Sequence, residues 1–279
     1  MRRLSSDSAL LDGIAFNDNS AAENASNASP ASSPYAPRFA PMTDFGKFPQ
    51  YSSYMAKDPV KHGLQLPAVM HELGSLKKRI LDVGTGDGLF PRLMARKGAR
   101  VVGYDIAAEK IAEARAHKDA RERNVQYVVA GPQTFTNRGV FDAATSVMAL
   151  PYATDYDELR AFFRNTSMHL APKGKFVSIV LNPCFAAFGE SLTVRRAQKL
   201  DGNRVQMEFL NEISGAVAMS AMMRQYTKEE YETAAAQVGM GFEWRNLFAS
   251  PEAIALKGED FWKRWHETQL YVLLIAQKR

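Results

Sequence analysis

The chain has 279 residues, of which 46% are hydrophobic and 23% are charged, a composition typical of a globular protein with a sizeable core. Its formal charge of +5 is diffuse, which favours a solvated basic surface over a nucleic-acid-binding face. No apolar run approaches the roughly 18 residues of a membrane-spanning helix, and no apolar signal segment follows Arg2 and Arg3. The single cysteine, Cys184, excludes an intramolecular disulfide, and no histidine pair has metal-ligand spacing. We therefore expect a cytoplasmic protein without a metal site, a membrane partner or a nucleic-acid partner.

Residues 1–41 differ from the rest of the chain because Ser, Ala, Asn and Pro dominate there. Such a segment cannot bury enough apolar surface to offset the entropy of ordering it, so we predict a disordered N-terminal tail. Aromatic residues become frequent from Met42, and one folded domain is predicted over 42–279. A translation start at Met42 and a functional leader are both compatible with this pattern.

From Arg79 onward, short apolar runs alternate with helical patterns. The predicted strands are RILDV, RVVGYD, NVQYVVA, FDAATSVMAL and APKGKFVSIVL. The predicted helices are LFPRLMARKG, AAEKIAEARAH and DELRAFFRNTSMHL. This alternation predicts a parallel sheet with helices on both faces.

After Asn182 the rhythm changes. The stretches NRVQMEFL, AVAMSAMMRQYT, GFEWRNLFA and QLYVLLIAQ are predicted strands, and KEEYETAAAQVGM is a predicted helix. The segment 185–225 departs from the alternation, so we interpret it as an insertion that shapes a substrate cavity.

Three glycines, Gly84, Gly86 and Gly88, directly follow the first predicted strand. Open α/β sheets bind ligands beyond the carboxyl ends of their strands, and glycine lets a ligand approach the main chain closely. The helix that follows offers free N–H groups to an anionic ligand group. Asp105 ends the second strand, where a carboxylate can accept hydrogen bonds from both hydroxyls of a ribose. A nucleoside ligand is therefore predicted.

The glycine spacing separates two classes of nucleoside ligand. A dinucleotide fingerprint has G-x-G-x-x-G, whereas this chain has G-x-G-x-G with Leu89 at the sixth position. Asp82 lies two residues before the first glycine, where a ligand's amino group suits the chemistry better than a pyrophosphate does. S-adenosylmethionine fits this pattern better than a nicotinamide dinucleotide. A tight turn without any ligand is the alternative.

The stretch LDVGTGDG, followed by VVGYD, resembles the first motif and the acidic strand end of class I S-adenosylmethionine-dependent methyltransferases. The match continues through FDAATSVMALPYA and HLAPKGKFV, over residues 79–181. The resemblance implies an α/β, Rossmann-like fold. Its sheet has seven mostly parallel strands with helices on both faces, an antiparallel last strand and substrate-cap insertions. It also implies an N-terminal cap over 42–78, a cofactor-binding core over 79–181, and an insertion with terminal strands over 182–279.

The cofactor implied by this resemblance is S-adenosyl-L-methionine, and the product is S-adenosyl-L-homocysteine. The resemblance places the following residues at the cofactor: Asp82, Gly84, Thr85, Gly86, Asp105, Ile106, Gly131, Pro132, Gln133 and Val147. The chain departs from the family at Gly131, where an acidic residue is common. The adenine amino group must therefore find another acceptor, such as Gln133 or a backbone carbonyl.

The stretches QYSSYMAKDP and SPEAIALKGEDFWKRW resemble small-molecule methyltransferases of bacterial secondary metabolism, including those of the toxoflavin type that methylate a nitrogen of an azapteridine. Aromatic residues in the flanking segments are candidates to sandwich a planar substrate ring: Tyr51, Tyr54, Phe185, Phe188 and Trp244. For each of them taken singly, ordinary core packing is the alternative.

No catalytic dyad is visible in the sequence, so we predict N-methylation by proximity, without a dedicated base or a metal. His169 is predicted to pack at a helix end, whereas His62 and His71 stay open as bases. The competing interpretations are an RNA or protein methyltransferase and an NAD(P)-dependent oxidoreductase. The sequence does not indicate an oligomeric state.

Overall fold

The computed structural model describes residues 51–117, 124–137 and 139–279. The predicted tail, residues 1–41, lies outside the described residues, and so does the first part of the predicted cap, residues 42–50. Within the described ranges, no helix has the length and apolar content needed to cross a membrane.

Helices and strands alternate through the first two thirds of the described chain. The α-helices are α1 (Tyr51–Ala56), α2 (Leu66–Leu73), α3 (Leu89–Arg96), α4 (Ala108–Ala116), α5 (Tyr156–His169), α6 (Lys228–Ala236), α7 (Pro251–Lys257) and α8 (Glu259–Thr268). The strands are β1 (Arg79–Val83), β2 (Arg100–Asp105), β3 (Val125–Val129), β4 (Phe141–Val147), β5 (Leu170–Leu181), β6 (Ser191–Leu192), β7 (Arg195–Lys199), β8 (Arg204–Leu210), β9 (Val217–Arg224), β10 (Met240–Asn246) and β11 (Tyr271–Lys278). A π-helical turn, Lys61–Gln65, leads into α2.

Seven strands form the central sheet in the order β10-β11-β5-β4-β1-β2-β3. β1 pairs in parallel with β2 and β4, and β3 and β5 extend the parallel part on either side. The last strand, β11, runs antiparallel to both β5 and β10. The predicted seven-stranded, mostly parallel sheet with an antiparallel last strand is confirmed.

Both faces of this sheet are covered, as near-continuous apolar strands require. Ile80 and Val101 point into an apolar cluster on one face, and their neighbours Leu81 and Val102 point into a second cluster on the other face. The first cluster is completed by α2, α3 and the C-terminal helices, and the second by α5 and α6. The helices contribute Val69, Phe90, Met94, Trp262 and Trp265 to the first cluster, and Phe162, Phe163 and Tyr231 to the second.

The insertion between β5 and α6 is a four-stranded antiparallel sheet in the order β6-β7-β8-β9. Its buried face, which includes Ala197, Met207 and Ala221, joins the same apolar cluster as the cap residue Met55. The segment interpreted as an insertion from its sequence rhythm thus contains these strands, which share an apolar cluster with Met55. The sequence patterns did not reveal β6, β7, α7 or α8.

Candidate functional site

The loop that follows β1 turns back over the end of β2 before α3 begins. The backbone N–H groups of Gly84 and Thr85 both donate to the carbonyl of Tyr104, each at 2.9 Å. Gly84, Gly86 and Gly88 have φ values of 69°, 54° and 77°, in the left-handed region that glycine adopts without strain. The loop is therefore fixed against β2 and needs glycine at three alternate positions.

The three glycines face different surroundings. A Cβ at Gly84 would lie 2.2 Å from the Cβ of Ala149, and one at Gly88 would lie 2.4 Å from the hydroxyl oxygen of Tyr127. A Cβ at Gly86 would have no heavy atom within 4 Å. Gly84 and Gly88 thus permit close packing within the protein, whereas Gly86 presents bare backbone to open space where a ligand can approach.

Asp105 holds this loop from the end of β2. Its Oδ2 accepts from the N–H of Gly86 at 2.8 Å, and its Oδ1 accepts from the N–H of Ala107 at 2.9 Å. Burial raises the pKa of the Asp105 carboxyl, and the two backbone N–H donors oppose that rise. A carboxylate has about four acceptor positions, so hydroxyl donors of a ligand can still bind beside these two bonds.

The residues predicted at the adenine side come together beyond β2 and β3. A Cβ at Gly131 would lie 3.5 Å from Cδ1 of Ile106 and 3.6 Å from Oε1 of Gln133. Pro132 is buried, whereas Gln133 is exposed and carries the polar amide of this group. Val147 lies apart from them, at the end of β4, and packs against the apolar cluster on the cap side.

Asp82 is 3% exposed and is held by two threonine hydroxyls. Oγ1 of Thr85 donates to its Oδ2 at 2.7 Å, and Oγ1 of Thr145 donates to its Oδ1 at 2.6 Å. Gly103 leaves room for the Thr85 side chain, because a Cβ there would lie 2.5 Å from Oγ1. Asp82 therefore positions Thr85 and the glycine loop, and its direct contact with a ligand amino group stays a prediction.

Burial raises the pKa of Asp82 from 3.8 to about 6, against the opposing effect of the two threonine hydroxyls. The folded chain thus binds this proton more tightly than the unfolded chain, a stabilising effect that is complete below about pH 4 and lost as the pH rises through about 6. We expect the free energy of unfolding of the wild type to fall by about 2 kcal/mol relative to Asp82→Asn between about pH 4 and pH 7. Urea titrations at each pH measure this difference, and parallel pH profiles would contradict it.

Two further residues at the site were not predicted from the sequence. Lys61 lies in the π-helical turn, and its Nζ is 5.8 Å from the ring centroid of Phe90 at the start of α3. The positive charge of Lys61 also opposes the rise in the pKa of Asp82. Met148 follows β4 with φ of 62°, and a non-glycine residue in this region costs on the order of 1–3 kcal/mol and is enriched at functional sites. No sequence pattern marks a π-helical turn or a single left-handed methionine, so neither residue could have been found that way.

The histidines occupy positions that limit their use as bases. His169 is buried: its Nδ1 lies 2.8 Å from the carbonyl of Asn165, and its Nε2 accepts from the N–H of Asn137 at 3.2 Å, which confirms its packing role. Nε2 of His62 lies 2.8 Å from the carbonyl of Ala56, and burial lowers the pKa of this imidazole. His71 lies exposed in the last turn of α2.

The structure brings together only part of the predicted aromatic group. Tyr54 packs against the apolar cluster of the cap and insertion, and Phe185 lies within it, 5.0 Å from Phe188 between ring centroids. Tyr51 lies in α1, and its side chain is outside what the structure describes.

The prediction that Trp244 lines the same cavity is wrong. Its Nε1 donates to Glu232 of α6 at 3.1 Å, and its ring packs against Tyr231 in the second apolar cluster. Its neighbour on β10, Arg245, points the other way and pairs with Glu72 of α2 in the cap. The alternation of side chains along a strand therefore places Trp244 on the face of the sheet opposite the cap.

Residues 80–174 match the protein-family model described as a methyltransferase domain. This segment contains the glycine loop, Asp105 and Gly131. Over this segment the chain is similar to methyltransferase domains. The open backbone at Gly86 beside the Asp105 carboxylate fits a nucleoside that carries an amino acid, as S-adenosylmethionine does.

Curated methyltransferases are similar to part of this chain. The ubiquinone biosynthesis O-methyltransferase of Idiomarina loihiensis is 32% identical over 114 residues, which are 40% of this chain and 46% of the relative. The enzyme of the same name from Xanthomonas oryzae pv. oryzae is 35% identical over 127 residues, or 45% of this chain and 52% of the relative. The matched region thus spans about half the length of these curated relatives.

Solved methyltransferase structures share the fold over most of the chain. The S-adenosylmethionine-bound amino pentose methyltransferase of Micromonospora echinaspora, involved in calicheamicin biosynthesis, gives a TM-score of 0.57 at 20% identity and covers 83% of this chain and 98% of that one. The sugar N-methyltransferase of Streptoalloteichus gives a TM-score of 0.57 at 18% identity and covers 91% of this chain and 100% of that one. These similarities support a Rossmann-like fold that extends beyond residues 80–174.

Proposed function

We propose that this chain transfers a methyl group from S-adenosylmethionine to a small planar heteroaromatic molecule, on a ring nitrogen. The observation that carries the proposal is the pairing of two features at one edge of the sheet. The glycine loop offers open backbone at Gly86 beside Asp105, and the cap and the insertion share one apolar cluster with the strands of that sheet. A nucleoside site next to an apolar, partly aromatic cluster suits methyl transfer to a small molecule.

Bound S-adenosylmethionine supplies an electrophilic methyl group, and the protein aligns the two reactants and excludes water. In this proposal the Gly86 backbone approaches the methionine part of the cofactor, and Asp105 accepts from the ribose hydroxyls. The charge of Lys61 suits the cofactor carboxylate, and Ile106 with Gln133 lies at the adenine. The positions of Gly86, Asp105 and Lys61 around the loop support this assignment of roles.

The acceptor is proposed to be planar because Tyr54 and Phe188 offer partly exposed rings beside the cap and insertion core. Nitrogen is proposed as the methylated atom because a ring nitrogen of adequate nucleophilicity needs no dedicated base. Of the three histidines considered, His169 is engaged in packing and His62 in a contact with a backbone carbonyl. Two solved relatives of this fold act, by their names, on a sugar nitrogen or an amino pentose, which is compatible with nitrogen as the target.

O-methylation of a phenol is the second candidate. The curated relatives that match the core at 32% and 35% identity are named ubiquinone biosynthesis O-methyltransferases, which act on oxygen by name. A phenolic acceptor generally needs a base to remove its proton, and His62 and His71 in the cap are the histidines proposed for this role.

The two candidates are separated by incubating the protein with methyl-tritiated S-adenosylmethionine and one of three acceptors: lumazine, 3,4-dihydroxybenzoate or bulk tRNA. We expect lumazine to be labelled fastest, with no loss of rate in EDTA. Faster labelling of 3,4-dihydroxybenzoate would favour O-methylation. Faster labelling of tRNA, or strong inhibition by EDTA, would contradict the proposal.

A further inference from the structure

One buried ion pair joins the N-terminal cap to the insertion. Asp58, just after α1, pairs through Oδ2 with Nη2 of Arg195, the first residue of β7, and both side chains are 2% exposed. Burying two charges is expensive, and an apolar pair of similar volume is often at least as stabilising. A pair retained at this depth therefore suggests that the two segments must meet in one particular arrangement.

Arg195 contacts the aromatic residues where the cap meets the insertion. Its guanidinium lies 4.4 Å from the ring centroid of Phe209, and the ring of Tyr54 meets the same phenylalanine edge-on, with centroids 6.1 Å apart. The hydroxyl of Tyr54 also donates to the carbonyl of Leu210 at 2.8 Å. The partly exposed tyrosine ring is thus held in place through the end of β8, against which Arg195 stacks.

Asp58 orders the cofactor side through its other oxygen and its backbone. Its Oδ1 accepts from the N–H of Val60 at 3.2 Å, and its carbonyl accepts from the N–H of His62 at 3.1 Å. These bonds begin the helical turn that contains Lys61, whose charge acts on Asp82 below the glycine loop. Asp58 therefore contacts both the turn that contains Lys61 and Arg195, which stacks on the acceptor side.

We propose that Asp58 and Arg195 are positioning residues, which hold Tyr54 at the acceptor and the Lys61 turn at the cofactor so that both sites form together. The inference rests on the proposed function, because it names how the acceptor side of that site is built. It adds residues that lie outside the glycine loop and outside the core matched by the family model.

The test compares Asp58→Asn with the double variant Asp58→Asn/Arg195→Met, which leaves no buried charge unpaired. Glu72→Gln is the matched control, because it removes a different ion pair of the cap, Arg245–Glu72, which joins α2 to β10 of the central sheet. Hydrogen exchange of the Lys61–Gln65 amides is measured with and without S-adenosylhomocysteine. KM and kcat for lumazine are measured on the same proteins.

In the wild type and in Glu72→Gln, we expect S-adenosylhomocysteine to slow exchange of these amides about tenfold or more. In Asp58→Asn and in the double variant we expect that protection to disappear. We also expect the KM for lumazine to rise about tenfold, with kcat changed less than about twofold. The double variant should regain the melting temperature lost in Asp58→Asn without regaining either property, because only the unpaired buried charge has been removed.

A double variant that regains protection and KM together with its melting temperature would overturn the inference, because the pair would then serve stability alone. Equal effects in Glu72→Gln would also overturn it. If the wild type binds S-adenosylhomocysteine but does not methylate lumazine, the proposed acceptor class fails, and the exchange measurement still decides whether Asp58 and Arg195 hold the turn.

Discussion

Gly86→Val is expected to abolish binding of S-adenosylhomocysteine while the sheet stays folded. Gly86 has a φ of 54°, and a Cβ there would meet no protein atom within 4 Å, so the added side chain would occupy the space proposed for the ligand. The strained backbone would also displace the N–H that donates to Asp105 at 2.8 Å. We expect affinity to fall at least about 100-fold, which corresponds to about 2.7 kcal/mol, as measured by calorimetry.

Gly202→Val is the matched control for this substitution. Gly202 has a φ of 62° and open space around its Cβ position, but it lies in the turn between β7 and β8. The control thus carries the same backbone strain without touching the glycine loop. Near-normal affinity in Gly86→Val, or an equal loss in both variants, would show that Gly86 serves the turn and not the ligand.

Asp105→Ala is expected to weaken binding of S-adenosylhomocysteine about 10- to 100-fold. A hydrogen bond to a charged group contributes roughly 1.5–3 kcal/mol, and the carboxylate is proposed to accept from the ribose. The substitution also removes the acceptor of the Gly86 and Ala107 N–H groups, so the glycine loop loses one of its contacts with β2. Calorimetry on a variant with native circular dichroism provides the measurement.

Asp142→Ala supplies the comparison for Asp105→Ala. Oδ2 of Asp142 accepts from the backbone N–H of Arg79 at 2.8 Å. The Asp142→Ala substitution therefore also removes a hydrogen bond between a carboxylate and a backbone N–H. Arg79 is the first residue of β1, at the edge of the sheet away from the glycine loop. Affinity should stay unchanged in Asp142→Ala, and an unchanged affinity in Asp105→Ala would refute the ribose assignment.

The sequence could predict the glycine loop because the residues that form it lie close together in the chain. Gly84, Gly86 and Asp105 lie in two consecutive strand–loop units, and parallel strands bring their carboxyl ends to one edge of the sheet. Regular alternation of apolar and helical stretches was therefore sufficient to place these residues together.

Residues whose roles depend on distant contacts could not be placed in this way. Arg195 and Asp58 are 137 positions apart, and the strand that begins with Arg195 reads RRAQK, with a charged residue at a buried position. The face that Trp244 presents depends on the register of β10 against β11, which the sequence does not specify. Helix α8 was not predicted either, although its Trp262 and Trp265 are buried, with exposures of 0% and 2%.

We propose that the glycine loop and Asp105 bind S-adenosylmethionine rather than a nicotinamide dinucleotide. Calorimetric titration of the wild-type protein with S-adenosylhomocysteine, NAD and NADP distinguishes these two classes of ligand. We predict saturable one-to-one binding of S-adenosylhomocysteine and no saturable heat from either dinucleotide. Saturable binding of NAD or NADP, with none of S-adenosylhomocysteine, would contradict the claim.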